Sequence, residues 1–171
     1  QAVIQNLRGF GCKILAYDPH PKADLMDVAE YVSLEELYRR ADIITLHMPL
    51  VPATKYIINR ESISMMKPGV IIINCARGPL ADPDALIEGI ESEKIGALGL
   101  DVIDGEEGIT HVDHRVDIIS NQKMAYLRQF RNVVMTQHMA FYTEEAVASM
   151  ARCGIAGIQD MAENKKGQWE I

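Results

Sequence analysis

The chain has 171 residues, ordinary hydrophobic (48%) and charged (24%) fractions, and a formal net charge of −7. That length supports one domain with a sizeable core. The acidic balance, with no basic stripe set against it, argues against nucleic acid or an anionic membrane as the main partner, and the longest apolar runs are only strand-length, too short to span a bilayer.

No charged segment followed by a long apolar one stands at the N-terminus, which does not begin with Met, so no signal peptide is visible. Cys12, Cys75 and Cys153 form an odd, widely spaced set without C-x-x-C. Such a set suits free thiols in a reducing compartment, with the cytoplasm as the expected location.

Taken in chain order, Ala2, Val3, Leu7 and Phe10 recur at helical spacing, predicting a helix over 1–9 closed by Gly9 and Gly11. Lys13 to Tyr17 predicts a strand ending at Asp18, and Pro19 and Pro21 mark a loop. Ser33, with Glu36 three residues on, predicts a capping box at the start of a short helix. A strand follows over Asp42 to Met48, stopped by Pro49. Asn59 opens a helix that ends near Met66, and Lys67-Pro68-Gly69 turns into a strand over Val70 to Asn74. Asp82 caps a helix from Pro83 to Ser92, with Pro at the first position. The remaining elements are a strand at 95–101, a polar irregular stretch at 104–120, a short helix near 121–129, a strand at 132–136 and a long helix over about 143–164.

Strands alternating with helices predict an α/β fold, a parallel sheet joined by right-handed crossovers. The first helix feeds a strand ending in Asp18, which is the second half of a dinucleotide-binding βαβ unit without its first strand or Gly-rich turn. The expected organisation is an incomplete, doubly wound, Rossmann-like NAD-binding domain over 1–142, then a C-terminal helical segment over 143–171.

Three polar residues sit just past successive strands: Arg77, Glu106 and His138. In an open parallel sheet these positions face the ligand crevice. A guanidinium grips a carboxylate through two parallel hydrogen bonds and so orients a 2-oxo acid. An imidazole can give a proton to a ketone oxygen as hydride reaches its carbon, and a neighbouring carboxylate, here Glu106, favours the charged imidazole. Asp18 at its strand end is placed to bind the adenine ribose hydroxyls and to repel a 2′-phosphate, favouring NAD over NADP. Each residue alone has a plainer reading, as a solvated turn or loop side chain. Cys75 could face a cofactor, although a small buried thiol is the commoner fate. His111, Asp113 and His114 lack helical spacing and Cys partners, so no metal site is expected.

Three ordered motifs carry a family resemblance. They are Asn74-Cys75-Ala76-Arg77-Gly78-Pro79-Leu80, Gly99-Leu100-Asp101-Val102 with Glu106 five residues after the Asp, and Thr136-Gln137-His138-Met139-Ala140. Together they resemble the D-isomer-specific 2-hydroxyacid dehydrogenases. The run Asp104-Gly105-Glu106-Glu107-Gly108, a long insertion and His138 to Glu144 are most similar to the D-lactate dehydrogenase branch, because the phosphoglycerate and glycerate branches usually place Pro directly after the catalytic Glu. The resemblance implies that Arg77 binds the substrate carboxylate, that His138 is the acid/base and that Glu106 is its partner. It also implies that Asp101 lies near the nicotinamide, that Asp18, Met48, Pro49, Thr54, Cys75 and Ala76 fall where the family contacts NAD, and that Phe141 falls near the substrate side chain. Homodimerisation through the cofactor domain is implied in the same way, as is a return of the 143–171 helix to a substrate domain outside this sequence, with the apolar face of the helix left exposed here.

This sequence departs from the family in having Gln137 where Pro usually precedes the catalytic His, which is expected to loosen that loop. It also contains no G-x-G-x-x-G. The expected activity of the complete enzyme is reduction of a 2-oxo acid, pyruvate first and a branched or aromatic acid second, to the D-2-hydroxy acid with NADH. The chain on its own is expected to be inactive. The rival expectation is a non-catalytic NAD-sensing or interaction protein of the same fold.

Overall fold

The computed structural model describes residues 1–110, 120–163 and 165. Helix α1 (Ala2–Leu7) runs into a 3-10 turn (Arg8–Phe10) that Gly11 ends in the left-handed region, φ 66°. The elements that follow are β1 (Leu15–Ala16), β2 (Glu30–Tyr31), α2 (Leu34–Arg40), β3 (Ile43–Leu46), α3 (Arg60–Met65), β4 (Val70–Asn74), α4 (Pro83–Glu91), β5 (Ile95–Leu100), α5 (Gln122–Leu127), β6 (Val133–Met135) and α6 (Glu144–Ala162). Every strand pairing is parallel, in two groups: β1 with β2, and β3-β4-β5-β6 in that order. This is the α/β arrangement expected, with a helix between each neighbouring pair of the larger sheet.

The core lies under one face of that sheet. Ile44 and Leu46 of β3, Val70 and Ile72 of β4, and Leu98 and Leu100 of β5 are all at most 4% exposed, and they pack with Ile58, Leu80, Leu86, Ile90 and Leu127. Their alternating partners Ile71 and Ile73 are only half-buried, and Ile43 is 58% exposed. Unbroken apolar runs such as Val70 to Ile73 normally belong to strands covered on both faces. Here α1 and α6 contribute no buried residue, so the second face stays open.

Two local expectations are corrected. The capping box at Ser33 is only half formed: its hydroxyl accepts the Glu36 amide (3.2 Å), while the Glu36 carboxylate turns to Arg40. The complete box is at α3, where Asn59 and Ser62 satisfy each other's amides. Strand β2, absent from the sequence reading, is two residues long and so has no period to detect. It is held beside β1 by main-chain bonds and by Glu30, whose carboxylate takes Arg40 (2.8 Å) and Lys13 (2.7 Å). Those two cations, Arg40 first, pull Glu30 down to about 2.

Candidate active site

Because β4, β5 and β6 are parallel neighbours, the segments leaving their C-terminal ends emerge along one edge of the sheet. The β4 segment carries Arg77, the β5 segment Glu106 and the β6 segment His138. The sequence places these three residues at strand ends, and the topology puts those ends side by side.

The β4 exit is built by Asn74, which is 1% exposed. Its side-chain oxygen accepts the Ala76 amide (3.1 Å) and its amide nitrogen donates to the Arg77 carbonyl (2.9 Å). A strand-end Asn that closes a turn in this way mimics a main-chain turn. Asn74 is not among the expected site residues, yet its side chain shapes the turn that presents Arg77. The Arg77 guanidinium is exposed; it donates to the Ala76 carbonyl (2.7 Å) and has no carboxylate partner among the described residues. Gly78 follows because nothing larger fits: a Cβ there would lie 2.6 Å from the Asp104 amide nitrogen and closer still to the Ile103 carbonyl. The Arg77 turn is thereby pressed, backbone to backbone, against the segment leading to Glu106.

Glu106 bridges two segments. Its Oε1 meets His138 Nδ1 at 2.9 Å, and its Oε2 accepts the Ile103 amide at 3.2 Å. The Glu106 side chain is 13% exposed and that of His138 30%, so the pair is largely sheltered from water.

His138 itself sits in the left-handed region, φ 55°. Non-glycine residues hold that conformation only when the surroundings impose it, and here Asp101 does so. The Asp101 carbonyl accepts the His138 amide (2.8 Å). Its carboxylate, 4% exposed, accepts the Thr136 hydroxyl and the amides of Met139 (2.8 Å) and Ala140 (2.8 Å). Burial by itself would push this carboxyl up, but the hydrogen bonds from Thr136, Ala140 and Met139, with the His138 charge, hold it below the usual range. The β6 exit is therefore wound around one buried anion. Gln137, in place of the usual Pro, is exposed, and the residues either side of it are held by main-chain bonds from the Thr136 amide to the Leu100 carbonyl and from the His138 amide to the Asp101 carbonyl.

The remaining expected site residues fall in several places. Asp18 is exposed past β1, with Oδ1 accepting the His20 amide (2.8 Å). Met48 is half-buried against the core, and Pro49 begins a turn after β3. The Thr54 hydroxyl closes that turn, donating to the Pro49 carbonyl (2.7 Å) and accepting the Val51 amide (2.9 Å). Ala76 is half-buried in the Arg77 turn. Cys75 is exposed, against the expectation of a buried thiol, because it points away from the packed face that Asn74 fills; partial burial of the sulfur and then the Asp101 charge push its thiol up. Phe141 is 40% exposed and packs edge-on to Tyr142, with centroids 6.1 Å apart. His111, Asp113 and His114 lie outside the described residues, and no cluster of metal-ligating side chains occurs among the described ones.

These positions fit a dinucleotide. Asp18, the Pro49–Thr54 turn and the Cys75–Ala76 step all follow the C-terminal ends of parallel strands, where such ligands bind. The residues given contain no G-x-G-x-x-G turn of the kind that cradles a pyrophosphate.

Comparison with known proteins agrees with this geometry. Residues 1–140 match the family described as D-isomer specific 2-hydroxyacid dehydrogenase, NAD binding domain. The chain is 41% identical over 172 residues to a D-lactate dehydrogenase of Lactobacillus delbrueckii subsp. bulgaricus, covering 100% of this chain and 52% of that protein. It is 43% identical over 159 residues to an aromatic 2-oxoacid reductase of Clostridium sporogenes, covering 92% and 48%. Among solved structures, the pyruvate reductase of Chlamydomonas reinhardtii superposes with a TM-score of 0.90 at 41% identity, over 96% of this chain and 51% of that one. The chain spans about half the length of the relatives it matches. Its strand order, its strand-end Asp18 and its Arg77, Glu106 and His138 thus have one common explanation: the chain belongs to the D-isomer-specific 2-hydroxyacid dehydrogenase family and carries that family's NAD-binding fold.

Proposed function

We propose that the protein reduces a 2-oxo acid to the D-2-hydroxy acid with NADH, pyruvate being the first substrate to test. The observation that carries the reading is the 2.9 Å His138–Glu106 pair on a loop locked by buried Asp101. On the neighbouring strand exit stands the Arg77 guanidinium, with no carboxylate partner among the described residues.

NADH supplies the hydride. Arg77 takes the substrate carboxylate in a two-point grip, which fixes the plane of the adjacent ketone. With Nδ1 committed to Glu106, the proton passed to the ketone oxygen comes from His138 Nε2, and Glu106 stabilises the imidazolium before transfer. Asp101 keeps the ring in place through the loop. In the reverse direction His138 accepts the hydroxyl proton. The three free, exposed cysteines suit a reducing compartment, and we place the protein in the cytoplasm. None of the described helices is long and apolar enough to cross a membrane.

The test is NADH oxidation by the intact protein with pyruvate, and with branched and aromatic 2-oxo acids. His138→Ala is expected to lower kcat on the order of 10²- to 10⁴-fold with NADH binding retained, the usual contribution of a positioned general acid. Activity only on the bulkier acids would move the substrate. Bound NADH with no turnover on any of them would favour the NAD-sensing alternative.

A further inference from the structure

A hydrogen bond that plays no part in the proton and hydride transfers joins the two halves of the site from behind. The Tyr56 hydroxyl donates to Asp104 Oδ2. Tyr56 belongs to the connection between β3 and α3, and Asp104 lies two residues before Glu106, so the bond spans distant parts of the chain.

Both ends are anchored to catalytic segments. The Tyr56 amide donates to the Pro79 carbonyl (2.9 Å), and Ile58, two residues on, bridges to Leu80 and Asp82 (3.1 and 2.9 Å). The Tyr56 backbone is thus fastened to the turn that carries Arg77. Its φ of 50° is unusual for a bulky side chain, and the Asn59 side chain holds its carbonyl (2.9 Å). At the other end, the Asp104 amide is pressed against Gly78, and the carbonyls of Asp104 and Gly105 accept the Asn121 side chain (3.3 and 3.0 Å). Asn121 in turn caps α5.

We propose that the Tyr56–Asp104 bond is a strut that sets the Arg77 turn and the Glu106 loop in register, making both residues positioning residues for the reaction assigned to this site. The proposal rests on that assignment for its catalytic meaning, since neither residue needs to touch substrate. A bidentate grip on the carboxylate and a proton delivered to the ketone one bond away require Arg77 and His138 to be set to within a fraction of an ångström, and small misplacements lower rates steeply. The strut adds that constraint to the Gly78 contact and the Asp101 amide–Asn74 carbonyl bond (2.9 Å) that already join these segments. The hydrogen bond to Asp104, then burial, then the Asp104, Asp82 and Asp84 charges push the Tyr56 phenol up to about 12, so it remains a donor across the working pH range.

Tyr56→Phe deletes the hydroxyl and keeps the ring, including its contact with the Lys55 ammonium 5.1 Å from the centroid. In the intact protein the expected result is a fall of about ten-fold in kcat/KM for pyruvate, with KM raised and kcat lowered together. The NADH dissociation constant should stay within about two-fold. Asp104→Ala, which removes the acceptor oxygens, should behave alike, and the double variant should be no worse than the poorer single, as for two ends of one interaction. Hydrogen exchange should rise jointly at 77–82 and 103–110 in Tyr56→Phe and not in β4.

Unchanged kinetics overturn the proposal even if exchange rises, because the bond would then be merely structural. Additive losses in the double variant overturn it too. If the wild-type protein reduces no 2-oxo acid, the functional assignment has failed separately; the exchange pattern then still decides, since unchanged protection of the two segments would eliminate the strut itself.

Discussion

Asp101 shows how much of this site depends on one buried anion. Replacing it by Asn keeps one carbonyl oxygen but turns an NH₂ towards amides that also donate, so at least one buried N–H loses its acceptor. Breaking a charged, buried set of this kind costs about 2–3 kcal/mol. We expect Asp101→Asn to lower the melting temperature and, by releasing His138 from its left-handed conformation, to reduce kcat on the order of 10²-fold. The pH dependence has a definite sign. The folded-state pKa of Asp101 is depressed, so its contribution to stability is fully present above the unfolded-state pKa, about 3.9, and is lost as pH falls through the lower folded value. The melting-temperature gap between wild type and Asp101→Asn should therefore be constant near neutrality and close only below about pH 4. A gap that already narrows between pH 8 and 6 would show that another group controls the loop. The sequence points to Asp101 only through family resemblance, because the amides it accepts lie 38 and 39 residues further along the chain.

At the scale of elements the same distinction holds between what is local and what is not. The helices and long strands are legible in the sequence because their signals are short-range: Asp82 before Pro83 at α4, Thr143 before the run of α6, and the Val70–Asn74 apolar run. The Asn59–Ser62 box is half legible, since Asn59 reads as the opener but Ser62 replaces the usual Glu or Gln. An Asn at a strand end before Cys-Ala-Arg-Gly hints at the role of Asn74, whereas the burial that makes it structural leaves no local trace. Gly78 reads in sequence as tight geometry beside Arg77, and the structure supplies the neighbour, the Ile103–Asp104 backbone. Gly78→Ala must push two main chains apart, and we expect it to cost about 1–3 kcal/mol and to raise KM for the 2-oxo acid through Arg77. Gly99→Ala is the control: a Cβ there comes no nearer than 3.6 Å to Ile73, which is ordinary contact, and it should melt within about a degree or two of wild type (~0.5 kcal/mol or less). Equal losses in the two variants, read by thermal denaturation, would mean that the Gly78 contact is not special.

For the whole molecule, the decisive feature is that among the described residues the strands form two separate sheets, β1-β2 and β3 to β6. β1 and β3 each present an unpaired edge, and in a doubly wound fold the pyrophosphate is held at a helix N-terminus fed by a strand between such edges. This sequence contains no Gly-rich turn to form that cradle. The apolar side of α6 is open as well, with Met150, Ile155, Ile158 and Met161 between 51% and 79% exposed. Residues 1–171 alone should accordingly bind NADH far more weakly than micromolar, because the split sheet leaves the pyrophosphate without a helix N-terminus to hold it. Unpaired strand edges and open apolar faces are also templates for self-association. A fluorescence titration with NADH, run beside light scattering over a range of protein concentrations, tests both expectations. Scattering that grows with concentration while NADH fluorescence stays flat agrees with an open second face and a missing cradle. Micromolar, saturable binding by a monodisperse monomer would mean that the two sheets close on the dinucleotide without any strand between them, and that neither the split sheet nor the missing Gly-rich turn limits cofactor binding.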